Sequence, residues 1–530
     1  MSGDFDAISL EVLRNAMEAT AQEMGVVLKH TAFSPNIKER MDASCSIFDA
    51  RAQLVAQAEH VPVHLGAMLR AVGPSIDAIG PLDPGDIVVV NDPFPGGGHL
   101  PDITLIAPVF VPDAGCERLI GFVATRAHHS DVGGMEPGSM PAKSVEIYQE
   151  GLIIPPVRLF RKGEMQTDIL RMILANVRTP AERRGDLNAQ IAALRIGQRR
   201  IIEMAESYGP SVLMAGFDAL LDYAERRMRR RLLELPDGVY VAEDQLDEDG
   251  TDPEPVVIKV RVTIAGDRLG LDFAGSARQR RGNINVVAPL THSAVFFAVK
   301  LLVDATIPVN AGTFRPVEIL IPKGSFLDAV APAAVCAGNT ETTHRVADTV
   351  LRAFAQIAPD RIPAASQGTM NLISIGGRDP RNGQAYTYIE TICGGQGGRP
   401  LGPGMSGVQC NMTNTLNTPI EALEIAYPLR VERYELRDGS GGDGRHRGGD
   451  GAIRALRVLD HDARVSLQTD RRLFAPYGLG GGADGTPGQN WMRDAAGVRT
   501  DLPGKSSLTL SDGDVVVVET PGGGGWGTAA

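Results

Sequence analysis

The chain has 530 residues, 43% hydrophobic and 22% charged, with a formal net charge of -12. That length exceeds one hydrophobic core, so several domains are expected, and the acidic balance argues against nucleic acid or an anionic membrane as a partner. The five cysteines (Cys45, Cys116, Cys336, Cys393 and Cys410) form no CxxC pair, which excludes a zinc ribbon and gives no sign of a disulfide framework.

Residues 8–30 read as a helix. Leu10, Leu13, Met17, Ala21, Met24 and Leu28 recur every three or four positions, with Asp6 or Ser9 as N-cap. The N-terminus lacks a basic segment followed by an apolar one, and no apolar run approaches membrane-spanning length, so a cytoplasmic location is expected. Arg40 to Asp49 reads as a strand ending in a polar turn, its small residues suited to a face that meets a pocket. The segment Glu59-His60-Val-Pro62-Val-His64-Leu-Gly66 leads into a helix. Pro62 breaks the helical spacing of His60 and His64, which read either as pocket wall or as ligands.

Pro84-Gly85 makes a turn before a buried strand, Asp86 to Val90. Ile103 to Val111 and Leu119 to Thr125 are further strands. Two loops beside these strands concentrate His and Asp: Asn91-Asp92-Pro93 with Gly96-Gly97-Gly98-His99-Leu-Pro-Asp102, and His128-His129-Ser-Asp131-Val-Gly-Gly134. Pro101 disfavours αR at Leu100, so His99 and Asp102 sit on a turn and not on one helix face. With Asp42 from the earlier strand, His99, Asp102 and His128 offer two imidazole nitrogens and two carboxylates. Such a set suits Zn, Mn or Fe with an open coordination position. The other reading of the same residues is hydrogen-bonded loop side chains, since Asp and His are common in turns.

Residues 163–235 read as helical, over Ile169 to Val177, Ala181 to Ser207 and Ser211 to Leu235. The run Glu225-Arg-Arg-Met-Arg-Arg-Arg231 reads as a solvated or partner-facing helix side. Residues 236–328 return to strands around a helix near 290–303, and 339–358 is a helix opened by Thr340 and Thr342. After residue 362 the pattern is strands and glycine turns. Gly394-Gly395-Gln-Gly397-Gly398-Arg399 reads as an anion nest or as β-turns; it lacks the Lys-Ser/Thr of a P-loop. The fold class expected is multidomain α+β, with mixed and antiparallel sheets, a central helical segment and a β-rich, Gly-rich C-terminal part. The expected divisions are residues 1–162, 163–235, 236–361 and 362–530.

Several motifs taken together resemble one family. They are Glu39-Arg-Met-Asp42-Ala-Ser-Cys45, His60-Val-Pro-Val-His64-Leu-Gly66, the two His/Asp loops, Asn417-Thr418-Pro419-Ile420-Glu421 and the closing Thr520-Pro-Gly-Gly-Gly-Gly-Trp-Gly527. In this order, over essentially the whole chain, they resemble the hydantoinase B/oxoprolinase family. The resemblance implies one divalent transition metal held by Asp42, His99, Asp102 and His128. It implies His129 or Asp131 as the residue that orients a ligand or moves a proton. It also implies a hetero-oligomer with a hydantoinase A-type ATPase subunit, which binds ATP. The activity implied is opening of a cyclic amide (hydantoin, 5-oxoproline or a lactam) after phosphate activation, with metal-bound hydroxide as nucleophile. Carboxylation of a ketone of the acetone or acetophenone type, and a metal-binding scaffold without catalysis, are the alternatives.

Overall fold

A computed structural model describes residues 6–58, 61–113 and 115–529; His60 lies outside the described residues. The first helix, Ala7–Thr31, forms where its apolar spacing requires. Asp6 is the cap, its Oδ1 accepting from Ser9 N at 2.6 Å, and all six periodic residues are buried.

Seven strands make the first sheet: β1 (Ala43–Asp49), β2 (Leu54–Ala58), β3 (Ile87–Val90), β4 (Asp102–Asp113), β5 (Cys116–His128), β6 (Val157–Arg161) and β7 (Glu164–Met165), in the order β2-β1-β5-β4-β3-β6-β7. All neighbours are antiparallel. Both faces are covered, so β1 and β3 are buried throughout instead of alternating. Ile47, Val89, Leu105 and Val123 pack under the Ala7–Thr31 and Pro180–Tyr208 helices. Phe48, Val88, Ile106 and Phe122 face the other way, into a cluster with Leu65, Met68 and Phe296. The sheet is therefore clamped between two helical layers, which fixes its strand ends in space.

The second sheet holds β8 (Gly238–Leu246), β9 (Val256–Ala265), β10 (Arg268–Asp272) and β11 (Val317–Leu320); β10 and β11 run parallel, which makes it mixed. In β9 the burial alternates: Val256, Ile258, Val260, Val262 and Ile264 point inward, against the Ala288–Leu302 and Thr343–Phe354 helices. Two antiparallel sheets follow and share one core, with Ile373, Tyr388 and Leu467 of one against Leu456, Val516 and Val518 of the other. The chain is α+β. No helix among the described residues is long and apolar enough to cross a membrane.

The arginine run of the Pro210–Leu232 helix lies on a solvated side, with Arg226, Arg230 and Arg231 exposed, while Arg227 pairs with Asp304, Arg229 with Asp267 and Arg231 with Glu234. One element differs from the sequence reading. The helix expected at 339–358 opens with a π-turn, Gly338–Thr342, before the regular Thr343–Phe354 segment.

A buried ion network joins the second and third sheets. Asp470 Oδ1 accepts from Arg345 Nη2 at 2.7 Å and its Oδ2 from Lys505 Nζ at 3.3 Å, all three side chains being fully buried. Asp470→Asn leaves two buried cations against a neutral amide. It is expected to destabilise the fold by about 3–5 kcal/mol, read from urea denaturation midpoints.

Candidate metal centre

The site is assembled by strand register. β4 begins at Asp102 and β5 ends at His128, and the two residues are direct antiparallel partners. Ala43 of β1 pairs with Ala127, and His128 N donates to Asp42 O at 3.0 Å, so Asp42 stands at the same end of the adjacent strand. Asp42, His128 and Asp102 are thus successive positions along one edge of three neighbouring strands. His99 is delivered by the turn before β4. Asp102 N donates to His99 O at 3.0 Å, and Asn91 Nδ2 donates to Leu100 O at 2.8 Å. Gly98 lets the turn close on the carboxylate, since a Cβ there would lie 2.9 Å from Asp102 Oδ2.

His99, Asp102 and His128 are buried and their ligand atoms lie within 4.8 Å of one another. His99 Nε2 is 3.1 Å from Asp102 Oδ1 and 3.1 Å from His128 Nδ1, and His128 Nδ1 is 3.4 Å from Asp102 Oδ1. Asn339, on the π-turn, brings its Nδ2 to 3.2 Å from His99 Nε2. A single ring nitrogen faces a carboxylate oxygen, a second ring nitrogen and an amide, yet it makes only one hydrogen bond. Two ring nitrogens and a carboxylate oxygen that converge in a buried space are donor atoms a cation satisfies, so His99, Asp102 and His128 fit a divalent metal. Among the described residues no other group of His, Cys, Asp or Glu meets this criterion.

Electrostatics match the geometry. Burial, the largest influence, depresses the His99 imidazolium, but the charge and hydrogen bond of Asp102, the charge of Asp42 and the Cys336 carbonyl together outweigh it and leave His99 above its ordinary value. Burial raises Asp102, and the surrounding imidazoles His99, His128 and His64 pull it well below the usual carboxylate range. The outer oxygen of Asp102 faces His64 Nε2 at 3.5 Å, and Ser44 Oγ sits 2.9 Å from His64 Nδ1. His64 therefore stands in the wall beside Asp102, within ion-pair distance of its carboxylate.

His129 and Asp131 are turned elsewhere. His129 Nε2 lies 2.9 Å from Gln190 Oε1, and Gln190 in turn donates to Ile103 O. Burial, then the Arg183 charge, pushes His129 down to about 4. Asp131 accepts from Gly133 N, Gly138 N and Arg178, organising its own loop. Spacing does not single out Asn339. Its only local signal is its position beside the Thr340-Glu-Thr-Thr-His344-Arg345 segment, which reads as a helix start. The Gly394–Arg399 run is not an anion nest, because Gly394, Gly395, Gln396 and Gly398 donate their N–H groups to backbone carbonyls.

The fold and the cluster describe an α+β protein with a buried imidazole–carboxylate centre at one sheet end. The chain belongs to the hydantoinase B/oxoprolinase family, whose model matches residues 6–529. It is 38% identical to 5-oxoprolinase 1 of Arabidopsis thaliana, covering 99% of this chain and 42% of that protein. It therefore spans about two fifths of the length of that relative. It is 33% identical to the B component of the putative D-/L-hydantoinase of a Pseudomonas species, covering 98% of this chain and 90% of that one. The crystal structure of the ATP-dependent caprolactamase of Pseudomonas jessenii superposes with a TM-score of 0.91 at 30% identity, over 99% of this chain and 92% of that one.

Proposed function

We propose that this chain is the metal-bearing B-type unit of an ATP-dependent hydrolase that opens a small cyclic amide, acting with an A-type ATPase unit that phosphorylates the amide oxygen. The observation that carries the reading is the convergence of His99 Nε2, Asp102 Oδ1 and His128 Nδ1 at matched ends of β4 and β5. Relatives named for oxoproline, hydantoin and caprolactam support the substrate class, because all three are cyclic amides.

Asp42, His99, Asp102 and His128 are the proposed ligands for Zn, Mn or Fe. When bound, such an ion supplies Lewis acidity and acidifies a water to about neutral pH. Ser44 and His64 hold Asp102 in its rotamer. Gln190 anchors His129, and Arg178 anchors Asp131, so the loop leaving His128 is held from two sides. Their role in this reading is orientation. Burial of the cluster keeps bulk water from a phosphorylated intermediate.

Co-expression with an A-type ATPase is expected to give a stable complex that releases ADP and ring-opened acid from a cyclic amide, with neither unit active alone. Turnover that instead requires bicarbonate and consumes a ketone would replace hydrolysis by carboxylation.

A further inference from the structure

One short segment from the second half of the chain touches both nitrogens of a single cluster histidine. Cys336 O lies 3.4 Å from His99 Nδ1, and Asn339 Nδ2 lies 3.2 Å from His99 Nε2. A carbonyl only accepts, so Nδ1 carries the proton of the neutral ring and Nε2 presents its lone pair to the cluster. The Asn339 amide therefore ends on the same lone pair that a cation would take. Its other end is unanswered: Oδ1 is buried and makes no hydrogen bond, in a residue 5% exposed.

The main chain under Asn339 is fixed. Ala337 N and Gly338 N both donate to Asn283 O at 3.1 Å, and Thr343 Oγ1 donates to Asn339 O at 2.7 Å. A Cβ on Gly338 would lie 2.0 Å from Asn285 O, so the π-turn is seated directly on neighbouring main chain. The side chain is the part free to change. A half turn about Cβ–Cγ, a torsion of broad preference, exchanges Oδ1 for Nδ2. Without a cation that turn sets two lone pairs against each other; with one it supplies an oxygen donor.

The spacing agrees. Two donors on one first-row ion, each bonded at about 2.1 Å, stand about 3.0–3.4 Å apart. His99 Nε2 is 3.1 Å from Asp102 Oδ1, 3.1 Å from His128 Nδ1 and 3.2 Å from the Asn339 amide. The amide is thus spaced from His99 as the other cluster donors are. Asn339 also lines a narrow cavity with Asp42, His128, Thr391 and Thr415, which puts it on the Asp42 side of the cluster.

On the metal-centre reading above, we infer that Asn339 is a further protein ligand, its Oδ1 a neutral oxygen donor, and that it decides which divalent metal the centre keeps. With Asp42, His99, Asp102 and His128 it makes five protein donors, and one open position makes six. Six nitrogen and oxygen positions suit Mn or Fe and exceed what tetrahedral Zn takes.

The test is titration of the purified, chelator-stripped full chain with Mn²⁺ and with Zn²⁺, each against a chromophoric chelator. In Asn339→Leu, similar in size but without a donor atom, Mn²⁺ affinity is expected to fall at least about tenfold and Zn²⁺ affinity by less than about threefold. Asn339→Asp keeps an oxygen and loses the N–H; it is expected to hold Mn²⁺ at least as tightly as wild type. Unchanged Mn²⁺ affinity in Asn339→Leu overturns the assignment. Equal loss of both ions in that variant also overturns it, because the residue then only shapes the π-turn. Loss of Mn²⁺ in Asn339→Asp overturns it as well, because the N–H and not the oxygen is then the useful end. Each of these results leaves the His99–Asp102–His128 centre standing. A wild-type chain that takes up neither ion removes the centre itself and, with it, the hydrolase reading.

Discussion

In His99→Ala, bound transition metal is expected to fall from about one ion per chain to almost none, and ATP-dependent turnover to fall by about a thousandfold or more. The reason is its position in the cluster. His99 Nε2 lies 3.1 Å from both Asp102 Oδ1 and His128 Nδ1, so its removal takes away the nitrogen around which the other two are arranged. Asp102 and His128 remain in register at the strand ends but face an empty space. Elemental analysis of the purified protein reads the first effect, and the coupled ATPase and ring-opening assay reads the second. The variants are expected to rank by geometry. Asp42→Asn sits at the edge of the group and weakens metal retention by about 10–100-fold without abolishing it. His129→Gln, whose ring faces Gln190, keeps its metal. Wild-type protein that takes up no transition metal would remove the proposed centre altogether.

Much of this site was legible because strands flank it. The apolar runs around the two His/Asp loops marked both as strand ends, and strand ends on a rigid sheet are where side chains from distant loops meet. The pairing of Asp102 with His128 was not legible. The β4–β5 hairpin carries a bulge between Val109 and Phe110, which leaves Ile120 unpaired. Without that extra residue Ala127, not His128, would stand opposite Asp102. Nothing in the local composition announces such a bulge.

The partners of the cluster were equally hidden. His64 reaches Asp102 from a helix on the other face of the sheet, and Asn339 reaches His99 from a π-turn in the second half of the chain. Periodicity reports which face of an element is apolar. It carries no information on which distant elements meet, and these contacts are of that kind. The same limit applies to Arg40. The strand expected from Arg40 begins only at Ala43, and Arg40 stands in the turn after the Pro35–Lys38 helix, where its guanidinium meets the Thr391 and Thr415 hydroxyls.

The C-terminal glycines read as turns and are mostly something else: extended segments packed backbone to backbone. Gly524 N donates to Ala365 O at 2.9 Å, its carbonyl accepts from Gly398 N at 2.8 Å, and a methyl group on its Cα would overlap the Tyr477 carbonyl oxygen. The obstruction is main chain, so no rotamer change relieves it. Gly524→Ala is therefore expected to cost more than about 4 kcal/mol or to give no soluble protein. Gly402→Ala is the matched control. It lies in an adjoining glycine-rich segment at negative φ, and its new methyl meets only Arg399 Nη2 at 3.9 Å. A change within about 0.5 kcal/mol is expected there, read from urea midpoints beside wild type. Equal tolerance at both positions would contradict the backbone-to-backbone packing. The consequence reaches the site, because the same glycine layers brace the segment from Thr391 to Thr415: Gly394 N donates to Val408 O and Gly395 N to Pro521 O. The Gly395–Pro521 bond holds this segment against the C-terminal glycine run.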